Sequence, residues 1–463
     1  MPTEKVLVTR EKLDNLANAI SDKSGESVPM TINQMISAVE GISGGGQVEV
    51  KQVTFIDYDG TVLYSYTLEE ANALAALPEN PSHPGLIAQG WNWTLAQIKA
   101  QLAAVPEGDV VVGQMYTTTS GDTEIDVVID NVKDPYMALC VNGTITIDWG
   151  DETTPDTVTG TNYHTTNKQH VYANAGNYTI KIHAQSGTFA FNGTAANSAY
   201  KFSIFYINTS YYNLNYVYAS LVRAVRCGPG LAYFNHHGFS HCVNMEYITI
   251  PNTVTDVDAY AFYYCQSLKG ITIPNSITHI GIYSLYALAS LDFISLPPTI
   301  TTVDGNALQF AYGLKVLTIP NGITSTGQYA FSYLYNVKKV AIPPSLTTTG
   351  EYLFYGCNKL KEVIMKNTLT TISNQTFYGC YSVEKFVIPA SVTTIGNSVF
   401  TNTGGVKEYH FLSTVPPSLG TGNISTSSSY IQRDCKVYVP AANLSDYQSA
   451  TNWSNLSSRM VGE

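Results

Sequence analysis

Charge is what this chain has least of. Asp, Glu, Lys and Arg together make up 13% of its 463 residues, against roughly a quarter in an ordinary soluble domain. The charge present is acidic in balance, with a formal net of -11. A chain of that sign does not grip nucleic acid through a sequence-independent cationic stripe. No apolar run approaches the length a membrane-spanning helix needs, so no membrane insertion is expected. The opening residues, Met1 to Lys12, contain no hydrophobic stretch of the kind a secretory leader requires. The expectation from this is a protein whose leader has been lost, or one that reaches the exterior by another route such as lysis or an assembled particle. The seven cysteines include no CxxC pair, which fits neither a zinc site nor a complete disulfide framework.

What is abundant is neutral: 35 glycines, 33 tyrosines and much Ser and Thr. From the middle of the chain these fall into register. Proline recurs every 23 residues at Pro251, Pro274, Pro297, Pro320 and Pro343, then Lys366 stands in its place, then Pro389. An aliphatic residue or Met precedes each, as at Ile250, Ile319 and Met365. Eleven positions after each comes a large apolar residue: Phe262, Leu285, Leu308, Phe331, Phe354, Phe377 and Phe400. A fixed period of this size marks a solenoid, whose units cannot bury their apolar side alone and must stack. With about eight or nine layers near 4.8 Å each, its expected length is about 40 Å. Val225, Cys227, Leu231 and Phe239 fit the same register as imperfect early turns. Cys242, Cys265, Cys357 and Cys380 share one core position. Stacked neighbours there, Cys242 with Cys265 or Cys357 with Cys380, read either as reduced core residues or as bridges between layers.

Before the solenoid the pattern changes several times. Residues 1–43 read as two short helices with apolar positions Leu13, Leu16, Ile20, Ile32, Met35, Ile36 and Val39. Residues 44–47 form a glycine tether. Such a helical pair has too little core to stand alone and is expected to oligomerise or dock on a partner. Residues 48–114 suggest a small α+β module: a hairpin turning at Asp59-Gly60, a helix over Leu68–Leu77, a Pro-rich turn, Trp91 and Trp93, and a helix over Leu95–Ala104. Residues 115–200 alternate as strands. The overall expectation is a mostly β, multidomain chain.

Several of these segments resemble known families. The first forty residues, with "VT-x-x-KL-x-x-x-A-x-A-I" and then "T-I-x-x-M-x-x-A-V-x-G-I", resemble a module at the start of phage and prophage tail and baseplate proteins of Gram-positive gut bacteria. Residues 48–113 are similar to small β-grasp-like repeats of surface proteins. Thr144–Glu152 (TITIDWGDE) followed by His170–Ile182 resembles a PKD-type immunoglobulin-like β-sandwich, with Glu152 in place of the usual Gly. Residues 201–435 resemble the BspA-type leucine-rich repeat, in which a strand precedes the proline and a helical turn carries the buried Phe. Residues 436–463 look like that family's C-terminal cap.

Four constellations invite a chemical reading. Asp57-Tyr58-Asp59-Gly60-Thr61 fits the "DxDGT" signature of haloacid-dehalogenase-type phosphatases, where the first Asp is the nucleophile. The α/β body that chemistry needs does not follow, and Asp-Gly is a common hairpin turn, so no enzyme activity is expected. His236, His237 and His241 beside Cys242 suggest zinc or, more blandly, a polar edge of an imperfect repeat. Asp148, Asp151 and Glu152 form an acidic turn that suits either calcium or plain solvation, and no cofactor is expected. The fourth is tyrosine. Tyr260, Tyr264, Tyr283, Tyr286, Tyr329, Tyr333, Tyr352, Tyr355, Tyr378 and Tyr381 surround the buried Phe position in successive turns. Rings of this kind give apolar area and a hydroxyl at little entropic cost, and sugars stack on their faces.

The resemblances together imply a phage or prophage tail-associated attachment protein. Its N-terminal helices would join other tail or baseplate proteins, a homotrimer being the oligomer expected, and its solenoid would meet a host-cell receptor or glycan. The alternatives are a bacterial cell-surface adhesin of the same repeat family and a structural baseplate protein.

Overall fold

The computed structural model describes residues 50–130, 136–191, 205–206, 219–424 and 435–463. Leu13, Leu16, Ile20, Ile32, Met35, Ile36 and Val39 lie outside the described residues, as does the expected N-terminal helical pair.

The first unit forms for local reasons. Strands β1 (Val53–Ile56) and β2 (Val62–Tyr66) pair as a hairpin, and β4 (Val110–Thr118) runs parallel to β1 and antiparallel to β3 (Leu86–Trp91). Helices α1 (Leu68–Ala73) and α2 (Leu95–Ala104) each start on a capping box, Thr67 with Glu70 and Thr94 with Gln97. Their apolar faces close over Phe55, Trp91 and Val112.

The strands that follow show how the solenoid begins. β5 (Thr123–Ile129), β6 (Tyr136–Asp148), β7 (Asp156–Gln169) and β8 (Gly176–Phe191) are antiparallel neighbours, and β9 (Phe205–Tyr206) pairs with β6. Three of them fold back at mid-length, where Gly143, Gly187 and the Asn162–Tyr163 pair have positive φ. The two halves of β7 therefore face each other, Lys168 Nζ lying 3.1 Å from Asp156 Oδ1. One layer continues through β5 into β10 (Val222–Arg226) and β12 (Tyr247–Thr249); the other continues through β8 into β11 (Leu231–Phe234). The separate PKD-type sandwich that the resemblance implied over residues 115–200 is not what these strands form. These strands share hydrogen bonds and a single core with the repeats, from Ile125 to Leu456, because the first rung would otherwise present two unpaired sheet edges.

Beyond β12 the rungs contribute short strands or single bridges before and after the proline, in register with the next rung 23 residues on, as in Ile271 with Ile294 and Ile280 with Val303. Inside, Phe331, Phe354, Phe377 and Phe400 stack at centroid spacings of 6.1, 5.7 and 6.3 Å. The turn carrying this column is not the helical turn implied by the repeat resemblance. Residues nine and thirteen after the proline take positive φ, as at Tyr260 (59°) and Tyr264 (60°). Alternate N–H groups then point along the axis: Tyr260, Phe262 and Tyr264 donate to the carbonyls of Ile282, Ser284 and Tyr286 on the next rung. The far end is shut by α3 (Leu444–Ser449) and Trp453, whose indole N–H donates to Pro417 O at 2.7 Å. No helix among the described residues is long and apolar enough to cross a membrane.

The small module is docked along one face of the solenoid. Two residues before each proline the strand points outward, and the residue there changes class midway: Thr249, Thr272, Ser295 and Thr318, then Ala341, Ile364 and Val387. β4 lies across the four hydroxyl rungs. Thr318 Oγ1 accepts from Val111 N at 2.9 Å and donates to Asp109 O at 3.0 Å, and Ser295 Oγ lies 2.8 Å from Val111 O. Asn92, fully buried, donates to Ile273 O at 2.8 Å, and Trp93 donates to Leu296 O at 3.0 Å. The approach is close enough to demand glycine, since a Cβ on Gly113 would sit 2.1 Å from Thr272 Oγ1. Lys339 and Lys366 reach back to Asp109 and Glu107, both at 2.7 Å. Replacing Ser295 by Ala removes a buried hydroxyl between two acceptors and is expected to destabilise the protein by about 1–3 kcal/mol. Urea denaturation of the variant against the wild type measures this.

Candidate functional site

The tyrosines form a ladder on the flank that carries the positive-φ turn. Tyr260 stacks on Tyr283 at 5.0 Å, Tyr329 on Tyr352 at 4.3 Å, and Tyr355 on Tyr378 at 4.7 Å with planes 1° apart. Tyr286 and Tyr333 are linked through Phe310 at 5.3 and 4.7 Å. Of the ten tyrosines singled out in sequence, nine are half-buried and Tyr381, 48% exposed, stands free at the edge. They come together as expected, but not in the expected posture. Their faces lie against one another along the axis, so what solvent meets is mainly ring edges and hydroxyls. Sugar stacking on the faces is confined to places where the ladder is interrupted.

Two further members went unread. His237 and His241 stand 23 residues before Tyr260 and Tyr264, share their positive φ, and stack on them at 4.5 and 5.3 Å. Register counting alone would have found them. Burial, with His236 and His241 nearby, lowers the His237 pKa to about 3, and burial lowers that of His241 to about 4. Both imidazoles are neutral at physiological pH and act as flat rungs. Among the described residues no three His, Cys, Asp or Glu side chains gather as metal ligands.

The other constellations are absorbed by structure. Asp57 is buried and accepts from Tyr116 OH at 2.8 Å, while His83 Nε2 lies 2.7 Å from its other oxygen. Its own N–H and C=O close the turn through Thr61 and Gly60. The motif is a hairpin bend pressed against the rung at Gly270, where a Cβ would come within 2.3 Å of Gly60 N. Asp151 is held by Thr153 and His170, and Asp148 accepts from Gly150 N. The cysteines are all free and buried, and Cys265, Cys357 and Cys380 donate to the carbonyls of Phe239, Phe331 and Phe354. Burial pushes the Cys357 thiol up to about 12.

The profile of the BspA type leucine rich repeat region matches residues 187–315 and 307–417 in six copies. The solenoid is a BspA-type leucine-rich repeat region. No curated protein matches the chain in sequence. Among solved structures it is similar to the T. pallidum leucine rich repeat protein, at 25% identity over 32% of this chain and 69% of that one, with a TM-score of 0.29. A leucine rich cell surface protein of Faecalibacterium prausnitzii is 17% identical over 53% of this chain and 90% of that one, with a TM-score of 0.25. The pneumococcal vaccine antigen PcpA is 15% identical over 60% and 88%, with a TM-score of 0.26. The match begins at residue 187, inside the strand that caps the first rung.

Two measurements check the site. Burial raises the hydroxyl pKa of Tyr286 and of Tyr355 to about 12, above the ordinary value near 10. Because the folded pKa is the higher one, this contribution to stability is complete below pH ~10 and is lost as pH rises towards ~12. Spectrophotometric titration should show tyrosines ionising late, with the unfolding midpoint falling over the same interval. The seven thiols should resist Ellman's reagent in the native protein and all react once it is unfolded.

Proposed function

We propose that this protein is a non-enzymatic attachment protein of a bacterial surface, presenting the tyrosine ladder to a glycan or protein receptor on its target cell. One observation carries the reading. At the thirteenth position after the proline, Gly356 and Gly379 occupy the positive-φ turn in two rungs, while Tyr264, Phe310 and Tyr333 occupy it in others. A large side chain in that conformation costs about 1–2 kcal/mol that glycine avoids. Strain of this kind points from the residue to a use for its ring. The ladder offers unionised hydroxyls and apolar edges in a flat row on a rigid body, and the opposing sheet face is already partly taken by the docked module. Membership of the repeat family supports a cell-surface location.

A second reading, a phage or prophage tail protein assembled as a homotrimer, rests on the motif of the first forty residues. Immunogold labelling with an antibody against the solenoid separates the two: label on the cell wall supports the first, label on sedimented tail particles the second. The ladder itself is tested by Tyr333→Ala combined with Tyr355→Ala, which should lower adsorption to target cells about tenfold, a loss of about 1.4 kcal/mol in binding. Unchanged adsorption in a folded double variant would count against the ladder as the contact face.

A further inference from the structure

Between Tyr260 and Tyr355 there is one rung at which both columns of the ladder lose their rings together. The columns nine and twelve residues after each proline run Tyr260 with Tyr263, Tyr283 with Tyr286, then Asn306 with Gln309, then Tyr329 with Ser332, then Tyr352 with Tyr355. At the middle rung a pair of amides replaces a pair of rings. Asn306 Nδ2 donates to Gln309 Oε1 at 2.6 Å, so the amides turn toward each other. This leaves the Asn306 carbonyl oxygen and the Gln309 amide nitrogen for another partner. The residue before Asn306 is Gly305, so no side chain rebuilds the wall from that side.

Tyr283 and Tyr329 flank the break. On its outer side Tyr283 is covered by Tyr260 at 5.0 Å, and Tyr329 by Tyr352 at 4.3 Å. Their inner faces look across two rung spacings, about 9.6 Å. Two van der Waals contacts of about 3.5–4.0 Å account for about 7–8 Å of that. A flat aromatic ring would sit loosely, while a puckered saturated ring fills the remainder. The floor is chosen from the same chemistry, an amide acceptor and an amide donor, which suits vicinal hydroxyls and offers little to a hydrocarbon ring.

We propose that the notch between Tyr283 and Tyr329, floored by Asn306 and Gln309, is a monosaccharide subsite that takes one pyranose ring of a glycan edge-first between two tyrosine faces. The subsite deepens the attachment reading and rests on it. It also assigns a place where two ring faces remain open to a sugar, the contact the stacked posture denies where rungs pair ring on ring.

The backbone supplies the test. Asn306 has φ 59°, against 56° for Tyr283 and 58° for Tyr329. Asn306→Tyr therefore enters a conformation its neighbours already hold, and completes the stack without disturbing the fold. Saturation-transfer NMR on the full chain, with the methyl β-pyranosides of glucose, galactose and N-acetylglucosamine as probes, should show transfer to at least one glycoside. Asn306→Tyr should reduce it about tenfold or more, with an unchanged melting temperature showing that the protein is intact. Val171→Ser, at an exposed position ahead of the solenoid and outside the ladder, should leave it in place. Absence of transfer to every glycoside in the wild type overturns the subsite, and so does undiminished transfer in Asn306→Tyr. Transfer to N-acetyltyrosinamide but to no sugar would also overturn it, in favour of a protein side chain as the guest. If the double tyrosine variant loses adsorption while Asn306→Tyr does not, the ladder stands and the subsite falls.

Discussion

Every rung has to place its backbone donors and acceptors opposite those of the next rung on three sides at once, and this matching constrains the rest of the molecule. Two sides are met by short parallel strands. The third is met by a turn whose alternate N–H groups point along the axis only because two of its residues accept positive φ. A residue inserted anywhere in the loop would move all three sides out of step. That accounts for a strict 23-residue spacing from Pro251 to Pro389. The interior follows: identical spacing brings identical positions together, and a column of Phe forms without any residue being selected for a particular partner.

A stack built this way is exposed at its ends, and both are closed by different means. At the start, β5 and β8 extend the two sheets backwards, so the first rung meets hydrogen-bonded strands rather than water. Arg226 reinforces the junction by pairing with Glu124 at 2.9 Å and Asp126 at 2.7 Å across it. At the other end one sheet runs on through Lys436–Val439 and Met460–Gly462, and Trp453 and Tyr447 cover the last layer with bulk.

The period and the interior column were legible in the residues, because both depend on spacing, while the C-terminal closure was expected only from the family resemblance. The small module's hairpin and two helices were legible too, although the helix expected over Leu68–Leu77 ends at Ala73 and the caps Thr67 and Thr94 were not read. Its docking was not, since the residues responsible, Asn92, Ser295 and Thr318, are ordinary polar residues whose partners lie some two hundred positions away. A trace was present nonetheless: four hydroxyl residues in the outward column, followed by Ala341 and Ile364, mark where a covered face ends. The posture of the tyrosines was hidden for another reason. Sequence gives which residues share a column but not that their rings would be parallel to one another, and this decides whether faces or edges reach solvent. His237 and His241 were read as zinc ligands or as a polar edge of an imperfect repeat, and their place in the ring stack was missed because the tyrosine columns were not followed back to the rung before Tyr260.

The change of residue class after Thr318 also separates two kinds of rung. Those up to Thr318 are committed to holding the module and cannot be deleted without leaving β4 unsupported. Those after it touch the module only through Lys339 and Lys366, which pair with Asp109 and Glu107, and beyond Lys366 they meet their own neighbours and the cap. Whole 23-residue units could be gained or lost in that distal stretch, each altering the reach of the body by about 4.8 Å while the notch at Asn306 keeps its place beside the clasped half. Length and recognition are therefore free to vary independently along one chain.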